Sequence, residues 1–334
     1  MEKKWICYEC GNSKDIELKK VIRRYEGDGY GFDLKVEIPV CNNCGNEIYD
    51  EEIEGKIREK ANRIIREKKN IITCDEIKKI LIKYNVSQKT LSKLLGWGEI
   101  TLTRYITKNY TPNKENNDLL KEIENPYIFL KYINKELQNE NSSIDKKLII
   151  KSQREVNSLL TKMENENGKI YKVINWFLKE SNEENPITHL SLQKSLYFVQ
   201  SWSKIINNQW IFNDDCQAWI HGAVYPNIYE IFKNFKYDHL PQISKEIDLD
   251  EREIKLLKLV KKYYTDVYTP RTLENICHKE KPYKLARIGK NIDERSNEII
   301  EKDNIEDYYK DISYKYHITS NSFDGVKQYL VDIL

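Results

Sequence analysis

The sequence predicts a mainly helical fold that carries one small β ribbon near its N-terminus. Lys, Glu, Ile and Asn abound, whereas Gly (12) and Pro (8) are scarce, which favours helices over collagen-like or repeat-β architectures. Hydrophobic residues make up 40% of the chain and aromatic residues 11%, which is enough for a packed core. Two strand-like runs, residues 18–25 and 32–40, flank the segment EGDGYG, whose glycines are typical of a β-hairpin.

Length and charge narrow the class of protein. A chain of 334 residues is long enough for about two domains. No apolar run approaches the roughly 18–20 residues needed to span a bilayer, and the start, MEKKWICYEC, lacks the apolar segment of a secretory signal. We therefore expect a cytoplasmic protein without a membrane partner. The formal net charge of +2 gives no global argument for nucleic-acid binding, so any such argument must come from local patches.

Four of the seven cysteines form two C-x-x-C pairs, CYEC and CNNC. Two such pairs are typical of a zinc ribbon, in which each pair supplies half of a tetrahedral thiolate site with Zn–S distances of about 2.3 Å. A disulfide is disfavoured in a cytosolic chain, and a redox C-x-x-C would need only one pair. Residues 1–50 are thus predicted to bind one structural Zn²⁺ ion, and the expected ligands are Cys7, Cys10, Cys41 and Cys44. The other cysteines are expected to be buried apolar residues.

Residues 50–72 read as one continuous helix that links the ribbon to the next domain. Ile53, Ile57, Ala61, Ile64 and Ile65 fall on one face of it. Its second half is rich in Lys and Arg. That half has two interpretations, a solvated helix face or a basic linker that lies along a phosphate backbone.

Residues 73–133 show the pattern of a helix-turn-helix domain. Helices are expected at 75–84, at 88–95 with Ser87 as N-cap, and at 99–106 after a Gly-Trp-Gly turn. In such a domain the recognition helix enters the major groove and its polar side chains reach bases and phosphates. A generic three-helix core gives the same pattern. The candidate DNA-binding residues are Gln88, Lys89, Thr101, Thr103, Arg104 and Lys108.

The run LIKYNVSQKTLSKLLGWGEITLTRYI resembles the Xre-type helix-turn-helix of the MqsA (YgiT-type) antitoxin family. Members of that family also begin with a ribbon bearing two C-x-x-C pairs, so the resemblance covers residues 1 to about 130. It implies a homodimer on operator DNA, with half-sites about one DNA turn apart. An Arg of the family's recognition helix falls on Arg104. The Asn that contacts a base in some members falls on Ile100, so base readout is expected from Thr101 or Thr103 instead.

Residues 134–167 are polar and are expected to form a connector of two helices. Apolar residues then return, and the helix at 190–206 is apolar around most of its circumference, which predicts a second core over residues 168–334. Three segments there, LQKSLYF (192–198), AWIHGAVYPNIY (218–229) and CHKEKPYKLA (277–286), resemble in order and spacing the Panacea domain, also called SocA-like or GepA-type, of phage and plasmid proteins. The departures from the family pattern are Ala223 for Pro, Cys277 for Thr and Tyr283 for Trp.

All five histidines lie in this second half, and the fragment His278-x-Glu280 could belong to a metal-dependent nuclease. However, the sequence has no H-E-x-x-H, G-x-S-x-G, P-loop or Rossmann motif, and we expect no enzymatic activity. The aromatic residues around AWIHGAVYPNIY are expected either in the core or as anchors of an interface. The candidate partner-binding residues are Trp219, His221, Tyr225 and Tyr229.

Both resemblances imply the antitoxin of a type II toxin–antitoxin system. The C-terminal domain is expected to neutralise a protein toxin by direct binding, and the helix-turn-helix to repress the operon. In the MqsA family the ribbon itself holds the toxin, so either end of this chain is a candidate. Two alternatives stay open: a stand-alone phage or mobile-element transcription regulator that binds a host protein, and a nuclease-like effector.

Overall fold

The computed structural model of the protein describes residues 5–27, 30–108 and 110–334. Over these residues helices dominate, and the strands form two-stranded antiparallel sheets, so the predicted fold class is confirmed. In chain order the elements are β1 (Ile16–Gly27), β2 (Tyr30–Cys41), α1 (Glu51–Lys68), α2 (Cys74–Lys83), α3 (Gln88–Leu94), α4 (Thr101–Thr107), α5 (Lys114–Glu122), α6 (Pro126–Gln138), α7 (Lys146–Asn167), α8 (Lys169–Lys179), α9 (His189–Ile206), β3 (Gln217–Trp219), β4 (Gly222–Val224), α10 (Pro226–Phe232), α11 (Glu251–Val260), α12 (Pro270–Lys279), α13 (Lys281–Ala286), α14 (Lys302–Lys315) and α15 (Gly325–Ile333).

The chain divides into two compact units. The first unit consists of Met1–Lys79 and Leu102–Lys121, and the second of Ile80–Thr101 and Glu122–Leu334. No helix in the described ranges is long and apolar enough to cross a membrane.

The core of the first unit lies between the β ribbon and α1. Strands β1 and β2 pair antiparallel with Val21 opposite Val36, and every second side chain of β2 from Leu34 to Val40 is buried, as the alternation predicts. Helix α1 covers this face with Ile57 and Ala61. Its N-cap is the Asp50 carboxylate, which accepts hydrogen bonds from the backbone N–H groups of residues 52 and 53.

Helix α1 is shorter than predicted and its basic half is not uniformly solvated. The helix ends at Lys68, and Asn70 then adopts a left-handed conformation with φ of 53°. Arg66 is only 5% exposed. Its guanidinium donates to the Cys74 Sγ at 3.2 Å and to the Tyr110 carbonyl at 3.2 Å, so Arg66 holds the first unit together rather than lying on its surface.

The helices predicted for the helix-turn-helix segment are present within one or two residues. Ser87 is the N-cap of α3, because its Oγ accepts the Thr90 N–H at 3.1 Å. Helix α3 ends in a Schellman turn: Gly96 has φ of +75°, and the Trp97 N–H donates to the Ser92 carbonyl at 2.8 Å. Helix α4 begins at Thr101, later than predicted, since residues 98–100 form the turn that precedes it.

The segment expected to be a polar connector contributes to the core of the second unit. Helix α7 spans 22 residues and packs against α6 and α8. Ile149, Val156 and Leu160 on its inner face are buried. Glu164 is also buried and accepts a hydrogen bond of 2.6 Å from the Asn175 side chain on α8.

Helix α9 is the centre of the second unit, as its apolar circumference predicts. Its side chains are buried without interruption from Ser191 to Ser203, against α8, α11, α12, α14 and β4. Trp202 is fully buried and its indole N–H donates to the Tyr264 hydroxyl at 2.8 Å. The apolar side chains of α9 form the core, and its polar side chains bond to the hairpin β3–β4, to the chain beside it and to Glu280.

Candidate functional sites

The four predicted zinc ligands lie together in the first unit. The Sγ atoms of Cys7, Cys10, Cys41 and Cys44 all lie within 4.8 Å of one another, a grouping that could hold a metal ion. Across the two pairs the Sγ–Sγ distance is 3.5 Å for Cys7 and Cys44, and 3.6 Å for Cys10 and Cys41. A tetrahedral ion with bonds of about 2.3 Å would separate its sulfur ligands by about 3.8 Å, so the cluster has the dimensions of such a site.

Each cysteine pair sits in the same type of turn. Gly11 and Gly45 follow the two pairs with φ of +71° and +79°, where glycine is favoured. Their N–H groups donate to the carbonyls of Cys7 and Cys41, both at 2.8 Å. The repeated geometry explains why two C-x-x-C pairs, each followed by Gly, bring four sulfurs to one point.

The thiols of the cluster differ in acidity. Burial opposes ionisation of Cys41, but hydrogen bonds from the Cys44 backbone and the Asn12 side chain outweigh it and lower the pKa to about 6. At Cys44 the Asn46 backbone lowers the pKa, but burial and the neighbouring thiols raise it to about 12. A bound cation would offset the unfavourable proximity of the thiols, which is one of the causes that raise the pKa of Cys44.

The candidate DNA-binding residues differ in exposure. Arg104 on α4 and Lys108 directly after it are exposed, whereas Thr101 and Thr103 on α4 are half-buried. At α3, Gln88 is half-buried and Lys89 is exposed, but the Lys89 ammonium forms an ion pair of 2.7 Å with Glu99. Ile100, which occupies the family's base-contacting position, is 56% exposed.

The hairpin β3–β4 is fixed to α9 by a buried lysine. Lys194 is 0% exposed, and its ammonium donates to the Ala223 carbonyl at 2.8 Å. The Ala223 N–H in turn donates to the Cys277 Sγ on α12 at 3.2 Å. Gly222 has φ of +87°, and a Cβ there would lie 3.0 Å from the Lys194 Nζ, so the turn requires glycine. Burial lowers the pKa of Lys194.

Two glutamines of α9 hold the chain on either side of the hairpin. The Gln193 Oε1 accepts the Tyr225 N–H at 2.8 Å. The Gln200 side chain accepts from the Ile211 N–H at 3.1 Å and donates to the Phe212 carbonyl at 2.6 Å. The polar side of α9 therefore supplies hydrogen-bond partners for backbone groups on both flanks of the hairpin.

Glu280 anchors the opposite side of α9. Its carboxylate is fully buried and accepts hydrogen bonds from Tyr197 at 2.7 Å, Tyr309 at 2.9 Å and Tyr329 at 2.6 Å. Burial raises the pKa of Glu280 to about 7, although the three hydroxyls act in the opposite direction. Thus Glu280 joins α9, α14 and α15, and its carboxylate does not pair with His278.

A cleft of about 440 Å³ opens beside the hairpin. The rings of Trp219 and Tyr229 form one wall, with centroids 4.9 Å apart. The cleft is lined by Trp219, Ile220, His221, Tyr229, Arg295, Ser296 and Asn297.

Behind the cleft lies a buried carboxylate. Glu274 on α12 is 1% exposed, and its Oε1 accepts from Arg271 at 2.6 Å and lies 3.4 Å from the His221 Nδ1. The Glu274 Oε2 and the His278 Nε2 are buried and have no hydrogen-bond partner among the described residues. The His278 ring stacks on Tyr283, with centroids 4.8 Å apart.

Part of the sequence around this cleft matches a known protein family. Residues 192–284 match the family described as antitoxin SocA-like, Panacea domain. The match runs from the first turn of α9 into α13 and indicates an antitoxin role in general. It confirms the Panacea resemblance over these residues, whereas the resemblance of residues 1–130 to MqsA antitoxins stays a prediction. No curated protein sequence matches the chain.

The region that matches the family brings together three of the four candidate partner-binding residues. Trp219, His221 and Tyr229 line the cleft, but Tyr225 does not. Tyr225 is 2% exposed and its ring packs edge-on against Phe212, 5.5 Å away, so its prediction as a contact residue requires correction. Tyr225 is the N-cap of α10, and its N–H donates to the Gln193 side chain of α9.

Sequence reasoning missed the far wall of the cleft. Arg295, Ser296 and Asn297 lie in an irregular polar stretch between α13 and α14, beyond the matched residues. Such a stretch has no periodicity and no motif. Only the fold shows that the stretch folds back onto the hairpin, where the Ala218 N–H donates to the Glu298 carbonyl at 2.8 Å.

Proposed function

We propose that this protein is the antitoxin of a type II toxin–antitoxin pair and that the cleft beside β3–β4 binds the protein toxin. The observation that carries the proposal is the family match, because residues 192–284 include four of the cleft's lining residues. The cleft offers two half-buried aromatic side chains, Trp219 and Tyr229, next to exposed polar groups. Aromatic anchors in a partly desolvated pocket are the usual centre of a protein interface.

The cysteine cluster is proposed to hold one structural Zn²⁺ ion. Four thiolate donors in a compact cluster are the ligand set that zinc takes in structural sites. The ion would join the two cysteine turns, beside which the apolar clusters of the ribbon are small. Its chemistry is structural, since all four positions are filled by protein ligands and none is left for substrate.

Repression of the operon is proposed for the α3–α4 segment. The support is the exposure of Arg104 on α4 and of Lys108 just after it, together with the predicted helix-turn-helix pattern. Arg104 would contact a base edge or a phosphate, and Lys108 a phosphate. A homodimer on a two-fold operator belongs to this proposal through the MqsA resemblance alone.

Co-expression tests the proposed function. The product of the neighbouring reading frame is induced alone and then with the full-length chain, and growth is followed. The wild-type chain is expected to relieve growth arrest, and a chain with Trp219→Ala and Tyr229→Ala is expected not to. Tyr237→Ala is the matched control, because Tyr237 is 95% exposed in the same unit and lies outside the cleft.

Three results would redirect the proposal. Rescue by the cleft variant but not by Cys41→Ser would move the toxin site to the ribbon. A harmless neighbouring product would favour a stand-alone transcription regulator that binds a host protein. Loss of rescue with both the cleft variant and Tyr237→Ala would show that the substitutions act through folding, which circular dichroism of the purified variants would report.

A further inference from the structure

The cleft has an uneven distribution of charge. Of the residues that line it, Arg295 carries a full positive charge, while none of the lining residues is Asp or Glu. Tyr229, Ser296 and Asn297 add hydroxyl and amide groups, and His221 adds a ring nitrogen. The lining therefore combines aromatic surface with several groups that can donate hydrogen bonds.

These donors are not consumed inside the protein. Within the part of the chain that the structure describes, no hydrogen bond or ion pair engages the Arg295 guanidinium or the Tyr229 hydroxyl. Glu274, which lies 3.4 Å from the His221 ring, is buried, and its Oε1 already accepts a hydrogen bond from Arg271. On His221 it is the Nδ1 atom that lies near Glu274. The Nε2 atom of this exposed ring is therefore available to a ligand.

We propose that the cleft binds a carboxylate-bearing segment of the toxin, with the carboxylate on Arg295 and its apolar stem against Trp219 and Tyr229. An arginine forms a fork that matches a carboxylate in two hydrogen bonds, and the flanking Tyr229 hydroxyl and His221 ring can add others. The aromatic wall excludes water from one side of that pair, which strengthens it. This inference rests on the proposed function, since it names the chemistry that the toxin presents.

Affinity measurements on the full-length chain test the proposal. The probe is the purified toxin whose growth arrest the wild-type chain relieves, and the dissociation constant is measured by isothermal titration calorimetry. Arg295→Glu is expected to weaken binding roughly 10- to 100-fold, because it places like charges opposite each other. Arg252→Glu is the matched control, as Arg252 is an exposed arginine of the same unit outside the cleft, and it is expected to change binding less than about threefold.

A charge exchange gives the decisive result. Each surface Asp and Glu of the toxin is replaced by Lys, and every variant is titrated against the Arg295→Glu chain. Recovery of binding by one of these replacements, which in turn weakens binding to the wild-type chain, is the expected outcome.

The opposite outcomes separate this inference from the function on which it rests. Equal affinities for Arg295→Glu and Arg252→Glu, with loss in Trp219→Ala, would keep the cleft as the toxin site but overturn the acidic partner. Loss of operator binding by Arg295→Glu, with toxin binding intact, would assign the arginine to phosphate and also overturn the inference. A wild-type chain that binds no toxin would overturn the proposed function itself.

Discussion

The buried carboxyl of Glu280 makes the stability of the second unit depend on pH. Its pKa is about 7 in the folded chain, against an ordinary value of 4.5. The folded state therefore holds a proton that the unfolded state has released between these two values, so the free energy of unfolding falls as the pH rises from 4.5 to 7. The full interval corresponds to about 3 kcal/mol, since each pH unit counts about 1.4 kcal/mol.

The substitution Glu280→Gln isolates this contribution. Glutamine keeps the size and one acceptor oxygen, but it does not titrate, so it loses the pH dependence while retaining part of the bonding to the tyrosines. Between pH 5 and pH 8 the wild type is expected to lose about 2–3 kcal/mol of unfolding free energy relative to the Gln variant. Taking this difference cancels the titration of groups that the two chains share.

Urea unfolding followed by tryptophan fluorescence measures this difference. Trp202 is a suitable reporter, because it is fully buried and its ring packs on Tyr309, one of the residues that donates to Glu280. Glu184→Gln, at an exposed glutamate of the same unit, controls for the substitution itself. A wild-type-minus-variant difference that is the same at pH 5 and pH 8 would refute the reasoning.

Three further predictions concern the other sites. Cys41→Ser should reduce the zinc content, measured by mass spectrometry, from one ion per chain toward none and unfold the ribbon, because apparent zinc-binding energies of about 10–16 kcal/mol are also folding energies; a ribbon that keeps its circular dichroism without zinc contradicts this. Arg104→Ala should weaken operator binding in a gel-shift assay by about 1–3 kcal/mol, more than Lys89→Ala, and unchanged binding removes Arg104 from the interface. Gly222→Ala should destabilise the second unit by about 1–3 kcal/mol in the same urea assay. The loss should exceed that of Gly289→Ala, because Gly289 shares the positive φ but has open space around it. Equal losses would show that the close contact of the new methyl group with Lys194 is unimportant.

The ribbon was accessible to sequence reasoning because its determinants are local. Two residues between cysteines, a glycine after each pair and strict alternation along β2 each fix geometry within a few positions. The same holds for Ser87, whose role as an N-cap depends only on the residues that follow it. Local rules of this kind predict an element without knowledge of the rest of the chain.

Only half of the cleft could be predicted from the sequence, because its second wall depends on packing between distant parts of the chain. The hairpin side carries a recognisable pattern, but Arg295 comes near Trp219 only after the chain has passed through α10–α13. Burial of α7 was missed for a related reason, since its composition is polar overall and the buried residues, such as Val156, form only a narrow stripe. The inward position of Tyr225 likewise involves a distant residue, since the Tyr225 N–H donates to the Gln193 side chain of α9.

The polar side of α9 has a consequence for how this protein could change partners. Lys194, Gln193 and Gln200 brace the hairpin and its flanks from within, and all lie inside the matched residues. The rim formed by residues 295–297 lies outside that stretch, and only its buried Ser296 supports the chain beside the hairpin, where its hydroxyl accepts the Glu298 N–H at 3.2 Å. If the cleft binds the toxin as proposed, substitutions at Arg295 and Asn297 are expected to redirect recognition while the hydrogen bonds from α9 to the hairpin stay in place.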